Sequence, residues 1–234
     1  MNSTNISRSQ KLLDISQRFR QSKSDSPLSN DLSNPQLHQS GNFQRPNRSA
    51  VLICLFEEQD DIYVILTKRS SKLTTYSGHV SLPGGRTEEG DTDDIRTALR
   101  EAEEEIGLDP ALVDVVAVFE PFITKENVTV VPVLGILWNK QAFNPVPNTE
   151  EVESIFYAPF EMFLKDENRR QEEREFQGDK YLLHYFDFIT NSKVYVIWAL
   201  TAGILMSTAS LVYQRPPDFE PRMPKFWKKS YSRF

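Results

Sequence analysis

The sequence predicts an α/β fold in which helices pack against a mixed β-sheet, and three observations lead to this prediction. Short runs of β-branched and aromatic residues recur along the chain between polar segments. Between two groups of these runs, apolar residues recur at helical spacing over 95–106. A second apolar stretch, 194–213, begins with residues typical of a strand and continues as a helix. The pattern indicates one α/β domain.

Length and composition agree with an enzyme-sized domain. The chain has 234 residues, 39% hydrophobic and 26% charged, enough for one sizeable core plus an appendage. Its net charge of −6 argues against nucleic-acid or membrane partners. The only cysteine, Cys54, lies in an apolar run, which excludes an internal disulfide and indicates a reducing compartment. We expect its thiol to be buried and inert rather than catalytic.

The two ends of the chain are predicted to lie outside the domain, which we place at 49–217. Residues 1–48 are rich in Ser, Asn and Gln and predict a flexible extension, with a short helix at 12–19 docking on the body. Basic residues among its serines suggest a mitochondrial presequence, but Asp14 and Asp25 do not fit one. We therefore expect a cytoplasmic protein, with mitochondrial targeting as the alternative. Residues 218–234 are taken as a C-terminal tail.

Strands begin at Ser49. Runs 51–56 and 62–67, separated by the polar segment 57–61, predict a hairpin. Further strands are predicted at 113–119, 128–138 and 181–188. The stretch 194–213 is about as long as a membrane span, but its small polar residues favour a buried strand followed by a buried helix.

The helix predicted over 95–106 carries the chemistry, and Gly107 supplies its stop. At 100° per residue, Glu101 and Glu105 lie side by side along one edge of its buried stripe, with Glu104 beyond Glu101. Carboxylates one turn apart repel each other unless a cation lies between them, and Mg²⁺ and Mn²⁺ prefer such oxygen ligands. We predict that Glu101 and Glu105 hold the metal, with Glu104 as a further ligand. The alternative is a solvated acidic face.

Two adjoining motifs identify a family resemblance. The run 100–108, REAEEEIGL, matches every fixed position in the second half of the Nudix box. In the first half, counting from Gly85 places one extra residue before Arg100. The candidates for the first acidic position are therefore Glu88, Glu89 and Asp91.

The run 65–85 resembles the signature of the coenzyme A branch of the Nudix hydrolases. The matching residues are Thr67, Arg69, Ser70, Gly78, Pro83, Gly84 and Gly85. The residues that differ are Ile65, Thr74 and Leu82, of which Thr74 replaces a cation. The similarity extends over about 50–217, in the manner of the plant-type members.

The resemblance implies a Nudix α/β/α sandwich and a metal-dependent hydrolase of a small nucleotide substrate. For the coenzyme A branch, the products are 3′,5′-ADP and 4′-phosphopantetheine or its acyl form. The alternatives are a Nudix hydrolase of another nucleoside diphosphate derivative, such as ADP-ribose, NADH or an oxidised nucleotide, and a non-catalytic nucleotide-binding module. A homodimer is left open.

The predicted mechanism has a water molecule attacking one phosphorus while the metal neutralises charge on the bridging oxygens. By resemblance, Arg100 orients the glutamates. The general base is sought in the box or on a distant loop, where Glu151 is the candidate, with Glu150 beside it; the alternative is an ordinary surface pair.

Substrate contacts are predicted from the signature and its neighbours. The Gly84-Gly85 turn would let the backbone approach the phosphates. The predicted substrate-binding side chains are Lys68, Arg69 and Ser70, with Lys72 as a further cation and His79 as either a substrate contact or a turn-stabilising residue. The charged segment 165–180 predicts a solvated helix and turn. Alternatively, it covers the site and brings Arg169, Arg170 or Arg174 to the phosphates.

Overall fold

A computed structural model describes residues 9–24 and 47–228. Its helices in these ranges are α1 (Gln10–Ser24), α2 (Asp94–Ile106) and α3 (Ala199–Tyr213). The strands in the same ranges are β1 (Arg48–Glu58), β2 (Asp61–Arg69), β3 (Val80–Ser81), β4 (Gly84–Arg86), β5 (Val113–Val118), β6 (Phe122–Ile123), β7 (Thr129–Leu137), β8 (Val152–Pro159), β9 (Arg169–Phe176), β10 (Asp179–Thr190) and β11 (Lys193–Trp198).

The main sheet is mixed, as predicted. Its central order is β3-β2-β1-β7-β5, with β4 on β1, β6 on β7 and β8 on β2. Only the pairing of β1 with β7 is parallel among these described strands. The hairpin β1–β2 is confirmed, and its turn residues Gln59 and Asp60 have φ angles of 52° and 66°. Two positive φ angles in a two-residue loop match the right-handed twist of the flanking strands.

Helices cover both faces of this sheet, because successive side chains of β1 point to opposite sides. Leu52 and Cys54 pack in one core cluster with Ala98 and Ala102 of α2. The alternate residues of β1 belong to a second cluster that contains side chains of α1 and α3. Burial raises the pKa of the Cys54 thiol to about 12, so it stays protonated at neutral pH. The layers form the predicted α/β/α sandwich.

A second, antiparallel sheet has the order β11-β10-β9. The predicted solvated helix in 165–180 is wrong, because residues 169–176 form β9. This strand pairs residue by residue with β10, from Phe176 opposite Asp179 to Arg169 opposite Phe186. The side chains of residues 170–175 stay exposed, as the composition suggests, but tertiary pairing decides the backbone conformation.

The stretch 194–213 divides into strand and helix as predicted, giving all but the first residue of β11 and the whole of α3. Eight residues of α3 are buried, because the helix packs against β10, β11 and the segment 160–164. Within residues 9–24 and 47–228, no helix is long and apolar enough to cross a bilayer.

Both ends of the described chain pack on the domain. The predicted docking helix is present as α1, which buries Leu12 and Ile15 in the core. Residues 1–8 and 25–46 lie outside the described part, and so do the predictions of flexibility and targeting that rest on them. At the other end, the Asp218 amide donates to the Leu164 carbonyl at 2.7 Å, and Trp227 is buried. The described part of the predicted tail therefore packs on the body.

The contact between α3 and Trp227 gives a stability prediction. A Cβ atom at Gly203 would lie 2.3 Å from the Trp227 ring. Alanine is the better helix former, but overpacking typically destabilises a core by about 2 kcal/mol. We expect Gly203→Ala to lower the melting temperature by roughly 4–8 °C in calorimetry. Adding Trp227→Leu should recover part of the loss caused by the methyl group; a rise in melting temperature for Gly203→Ala alone would contradict the contact.

Candidate active site

The candidate site lies where the glycine pair Gly84-Gly85 meets helix α2. The predicted glycine turn is in fact the short strand β4, which pairs antiparallel with β1 so that Gly84 lies opposite Val51. Gly84 has a φ of 153°, and a Cβ there would lie 2.4 Å from the Ala50 carbonyl oxygen. Only glycine therefore allows β1 to approach β4 this closely.

Capping interactions define both ends of helix α2, which carries the carboxylates. The Asp93 side chain accepts a hydrogen bond from the Arg96 amide at 2.8 Å. At the other end, Gly107 adopts a left-handed φ of 69°, and its amide bonds the carbonyl of Glu103. The predicted glycine stop is confirmed, and Asp93 supplies the N-terminal cap.

Glu105 is the buried carboxylate of the site, with only 2% of the residue exposed. Its Oε2 accepts a hydrogen bond from the Gly84 amide at 3.1 Å, and its Oε1 lies 3.9 Å from Nη1 of Arg69. Burial, with smaller contributions from the negative charges of Glu101 and Glu151, raises the pKa of Glu105 to about 8. A carboxylate in this position is stabilised by a nearby cation.

Glu101 lies next to Glu105 and against the second glycine. A Cβ at Gly85 would lie 2.4 Å from the carboxylate carbon of Glu101, so the absence of a side chain there makes room for this carboxylate. Burial raises the pKa of Glu101, although Arg100, 3.1 Å away, partly offsets the effect. Glu104 is more exposed, and it pairs with Arg100 at 2.8 Å.

Arg100 organises this edge of α2. Its guanidinium donates to both Asp91 oxygens, at 3.1 and 3.0 Å, and to the Arg86 carbonyl at 2.9 Å. Asp91 is buried, and its carboxylate also accepts from the Thr97 hydroxyl at 2.9 Å. Burial alone would raise the pKa of Asp91, but the hydrogen bonds from Arg100 and its neighbours lower it. Asp91 is therefore the candidate acidic residue that pairs with Arg100.

The other two candidates for that position differ from Asp91. Glu88 is largely exposed and lies 4.0 Å from Arg100, while its amide donates to Asp91 at 3.0 Å. Glu89 is exposed. The extra residue before Arg100 is accommodated in the loop that precedes α2, since Asp91 still reaches the guanidinium.

Glu151 reaches the site through a loop that docks on the end of α2. The Val146 and Asn148 amides donate to the carbonyls of Ile106 and Glu105, both at 2.9 Å. Carbonyls in the last turn of a helix lack partners within it, so this loop satisfies them. Glu151 is close enough for its charge to raise the pKa values of Glu101 and Glu105. Glu150 points away, pairing with Lys72 at 2.6 Å while both are exposed.

The three predicted substrate-binding side chains contact different partners. Arg69 faces Glu105, and its buried Nε has no hydrogen-bond partner in the described structure. Lys68 instead pairs with Glu153 at 2.8 Å. Ser70 is buried; its amide donates to the Glu151 carbonyl at 2.7 Å and its hydroxyl faces Thr149. Arg69 thus keeps an unpartnered buried donor beside Glu105, and Ser70 positions the loop.

In the alternative prediction, segment 165–180 covers the site and brings three arginines to the phosphates. All three arginines lie in β9 of the second sheet. Arg169 is buried beside His184, whose Nε2 lies 2.9 Å from the Pro221 carbonyl. Arg174 pairs with Glu172 at 2.9 Å, and Arg170 lies 4.3 Å from the Tyr185 ring. The sequence did not predict that aromatic side chains of this sheet lie near the loop that contains His79. Tyr185 and this loop are far apart in the chain, and no periodic pattern relates them.

The donor set fits a divalent metal such as Mg²⁺ or Mn²⁺. Glu101 and Glu105 are partly or fully buried carboxylates with raised pKa values, which a cation would stabilise in the charged form. In residues 9–24 and 47–228, no three His, Cys, Asp or Glu side chains converge as a complete metal cluster. Mg²⁺ usually takes only one or two protein carboxylates together with water and substrate phosphates, so a pair suffices.

The pKa of Glu105 makes stabilisation by the metal dependent on pH. This carboxyl has a pKa of about 8 in the folded, metal-free protein and 4.5 as its ordinary value. The folded protein therefore binds this proton more tightly than the unfolded chain does, which adds to the free energy of unfolding. This contribution is complete below about pH 4.5 and is lost as the pH rises through about 8. A divalent ion removes this loss by compensating the charge. We expect Mg²⁺ to raise the melting temperature more at about pH 8.5 than at about pH 6.

The measurement is calorimetry with and without saturating Mg²⁺ at both pH values. Glu105→Gln should reduce the pH dependence of the Mg²⁺ effect to the part that comes from Glu101, whose pKa is also raised. Glu103→Gln, at an exposed residue of the same helix, should retain the full pH dependence. Equal Mg²⁺-induced shifts at both pH values would rule out Glu105 as the titrating ligand.

The close approach of Gly85 to Glu101 gives a second prediction. In Gly85→Ala, the new methyl group should displace the flexible Glu101 carboxylate and weaken Mn²⁺ binding about tenfold, measured by calorimetry. The melting temperature of the metal-free protein should change little, since a side-chain end can move. Gly90→Ala is the matched control: its φ of 103° makes it strained, but no atom lies within 4 Å, so stability should fall and Mn²⁺ affinity should not. The opposite pattern would disprove the steric argument.

Comparison with known proteins agrees with this geometry. The model of the NUDIX domain matches residues 46–178. The chain is 65% identical over 183 residues to Nudix hydrolase 15, mitochondrial, of Arabidopsis thaliana, with 78% of this chain and 64% of that protein covered. It is 62% identical over 181 residues to Nudix hydrolase 22, chloroplastic, of the same plant, covering 77% of this chain and 60% of that protein. The chain thus spans less than two thirds of the length of these two relatives.

A more distant relative comes from an animal. The chain is 33% identical over 176 residues to the peroxisomal coenzyme A diphosphatase NUDT7 of Mus musculus, with 74% of each protein covered. The domain match, the plant relatives and the arrangement of α2 against the glycine strand agree, and the chain belongs to the Nudix hydrolase family.

Proposed function

We propose that the protein hydrolyses the pyrophosphate bond of coenzyme A and its derivatives, giving 3′,5′-ADP and 4′-phosphopantetheine or its acyl form. The observation that carries this proposal is the contact between Arg69 of the signature segment and Glu105 of the Nudix helix, at 3.9 Å. This contact joins the segment associated with coenzyme A to the metal-binding carboxylates. The coenzyme A diphosphatase among the relatives adds support from similarity.

In the proposed mechanism, Glu101 and Glu105 bind Mg²⁺ or Mn²⁺, with Glu104 at the exposed end of the same edge. The bound ion would neutralise charge on the diphosphate and lower the pKa of water. The Arg69 side chain is 25% exposed, and its guanidinium donates to a phosphate oxygen, which suits the planar fork of arginine. Arg100 holds Glu101 in place and makes no substrate contact.

Glu151 is the proposed general base that takes the proton from the attacking water. Its loop is held by the hydrogen bonds at the end of α2 and by Asn148, whose side-chain amide lies 3.4 Å from Glu151 Oε1. The proposal is supported by these contacts and by the effect of the Glu151 charge on the pKa values of Glu101 and Glu105, the proposed metal ligands. A base must be within reach of the water and free to accept a proton.

A Nudix hydrolase of another nucleoside diphosphate derivative is the second candidate. Thr74 is exposed and uncharged where the coenzyme A signature has a cation. That difference favours a substrate such as ADP-ribose, NADH or an oxidised nucleotide. A non-catalytic binding module is disfavoured by the retained carboxylates of α2.

For the location of the protein, we propose an organelle rather than the cytoplasm. The plant relatives are named mitochondrial and chloroplastic, and the animal relative peroxisomal. We propose the mitochondrial alternative, which a fluorescent fusion of the full chain in plant cells would test; diffuse cytoplasmic fluorescence would contradict it. A homodimer stays a prediction.

The substrate proposal is tested with a panel. Pure protein with Mg²⁺ or Mn²⁺ should cleave coenzyme A and acyl-coenzyme A, and chromatography should detect 3′,5′-ADP as the product. ADP-ribose, NADH and 8-oxo-dGTP are the comparison substrates. Efficient cleavage of one of these with coenzyme A untouched would replace the substrate proposal by its alternative.

Two pairs of variants test the proposed roles. Glu101→Gln should lower kcat by about a hundredfold or more, because it removes a metal ligand, while Glu103→Gln on the exposed side of α2 should leave kcat unchanged. Glu151→Gln should lower kcat by about a hundredfold, and Glu150→Gln should not. Full turnover by Glu151→Gln would remove it as the base without affecting the metal assignment.

A further inference from the structure

A row of aromatic side chains runs from the loop between β2 and β3 onto the second sheet. The ring centroids of Tyr76 and His79 are 5.8 Å apart, and those of His79 and Trp198 are 5.1 Å apart. Trp198 stacks on Tyr185 at 5.5 Å with an interplanar angle of 7°. The Arg170 guanidinium lies 4.3 Å from the centroid of the Tyr185 ring. The row is therefore continuous from the loop to β9.

This aromatic row adjoins the candidate active site. The Arg69 amide donates to the His79 carbonyl at 2.9 Å, and the Gly78 amide donates to the Arg69 carbonyl at 3.2 Å. These two bonds fix the end of the loop to the residue whose guanidinium lies 3.9 Å from Glu105. A substrate bound at the carboxylates through its diphosphate would thus have planar side chains beside it.

Tyr76 is the exposed end of the row. The residue is 61% exposed and has a φ of 53°, an uncommon conformation for a bulky residue. The His79 amide donates to its carbonyl at 3.2 Å and closes the turn. Burial does not account for a large ring held in this conformation at the surface, and backbone strain of this kind concentrates at ligand-binding sites.

We propose that Tyr76, His79 and Trp198 form a stacking platform for the purine ring of the substrate. The inference rests on the proposed function in that the substrate is a nucleotide with a diphosphate. Aromatic side chains stack on the faces of bases. Tyr185 and Arg170 support Trp198 from the second sheet, so the platform is held by both sheets of the protein.

The first test compares two ligands with and without a base. Calorimetry measures the affinities of ADP and inorganic pyrophosphate in the presence of Mg²⁺ for the wild type, Tyr76→Ala and Tyr76→Phe. Tyr76→Ala should weaken ADP binding about fivefold or more and leave pyrophosphate binding unchanged. Tyr76→Phe should bind ADP like the wild type, because the ring face remains. Ile189→Ala, which removes another exposed apolar side chain 70% exposed on the second sheet, is the matched control and should change neither affinity.

Unchanged ADP affinity in Tyr76→Ala would overturn the inference, and so would an equal loss for ADP and pyrophosphate. The same experiment with pantetheine in place of ADP asks whether an apolar chain occupies the platform instead. A Tyr76-dependent affinity for pantetheine alone would also overturn it.

The second test measures the intrinsic fluorescence of Trp198. ADP should quench the intrinsic fluorescence in a saturable way, and Trp198→Phe should remove this quenching while Trp138 and Trp227 still emit. Persistent quenching in Trp198→Phe would overturn the inference. Neither measurement requires turnover, so failure of coenzyme A hydrolysis would leave base stacking testable, and failure of base stacking would leave the hydrolysis proposal intact.

Discussion

A carboxylate with almost no exposed surface, that of Glu105, is the constraint on which the rest of the site depends. A charge in this position is unfavourable unless hydrogen bonds or cations compensate it. The protein provides the Gly84 amide and the more distant Arg69 guanidinium, but Glu101 and Glu151 add charge of the same sign. A divalent cation would relieve this imbalance, which links the packing of α2 to the proposed chemistry.

Close packing around that carboxylate explains the glycine pair. The parallel partner β7 fixes β1 on one side, and β4 pairs with β1 in turn. Gly84 brings its amide to Glu105, while Gly85 leaves the space that Glu101 occupies. The sequence suggested that these glycines allow substrate phosphates to approach. Their observed contacts are with the glutamates, so their first effect is to let two carboxylates lie against a strand.

Arg100 and Asp91 hold the same edge of α2 in place. Asp91 is buried, and the guanidinium binds it, the Arg86 carbonyl and Glu101 together. Such a shared donor restricts Glu101 to one position, which a metal ligand requires. The network also explains why an extra residue before Arg100 is tolerated: the loop absorbs it, and the ion pair between Asp91 and Arg100 is kept.

Sequence alone determined the elements whose pattern is local. Helical periodicity placed Glu101 and Glu105 on one edge of α2, and two β-rich runs separated by a polar segment located the hairpin β1–β2. The stretch 194–213 divided correctly into strand and helix. Tertiary structure decided the rest. Residues 169–176 became a strand through pairing with β10, and Glu151 approached Glu105 because its loop caps α2. The physical reason is that these outcomes depend on contacts between residues far apart in the chain, which leave no periodic pattern in the sequence.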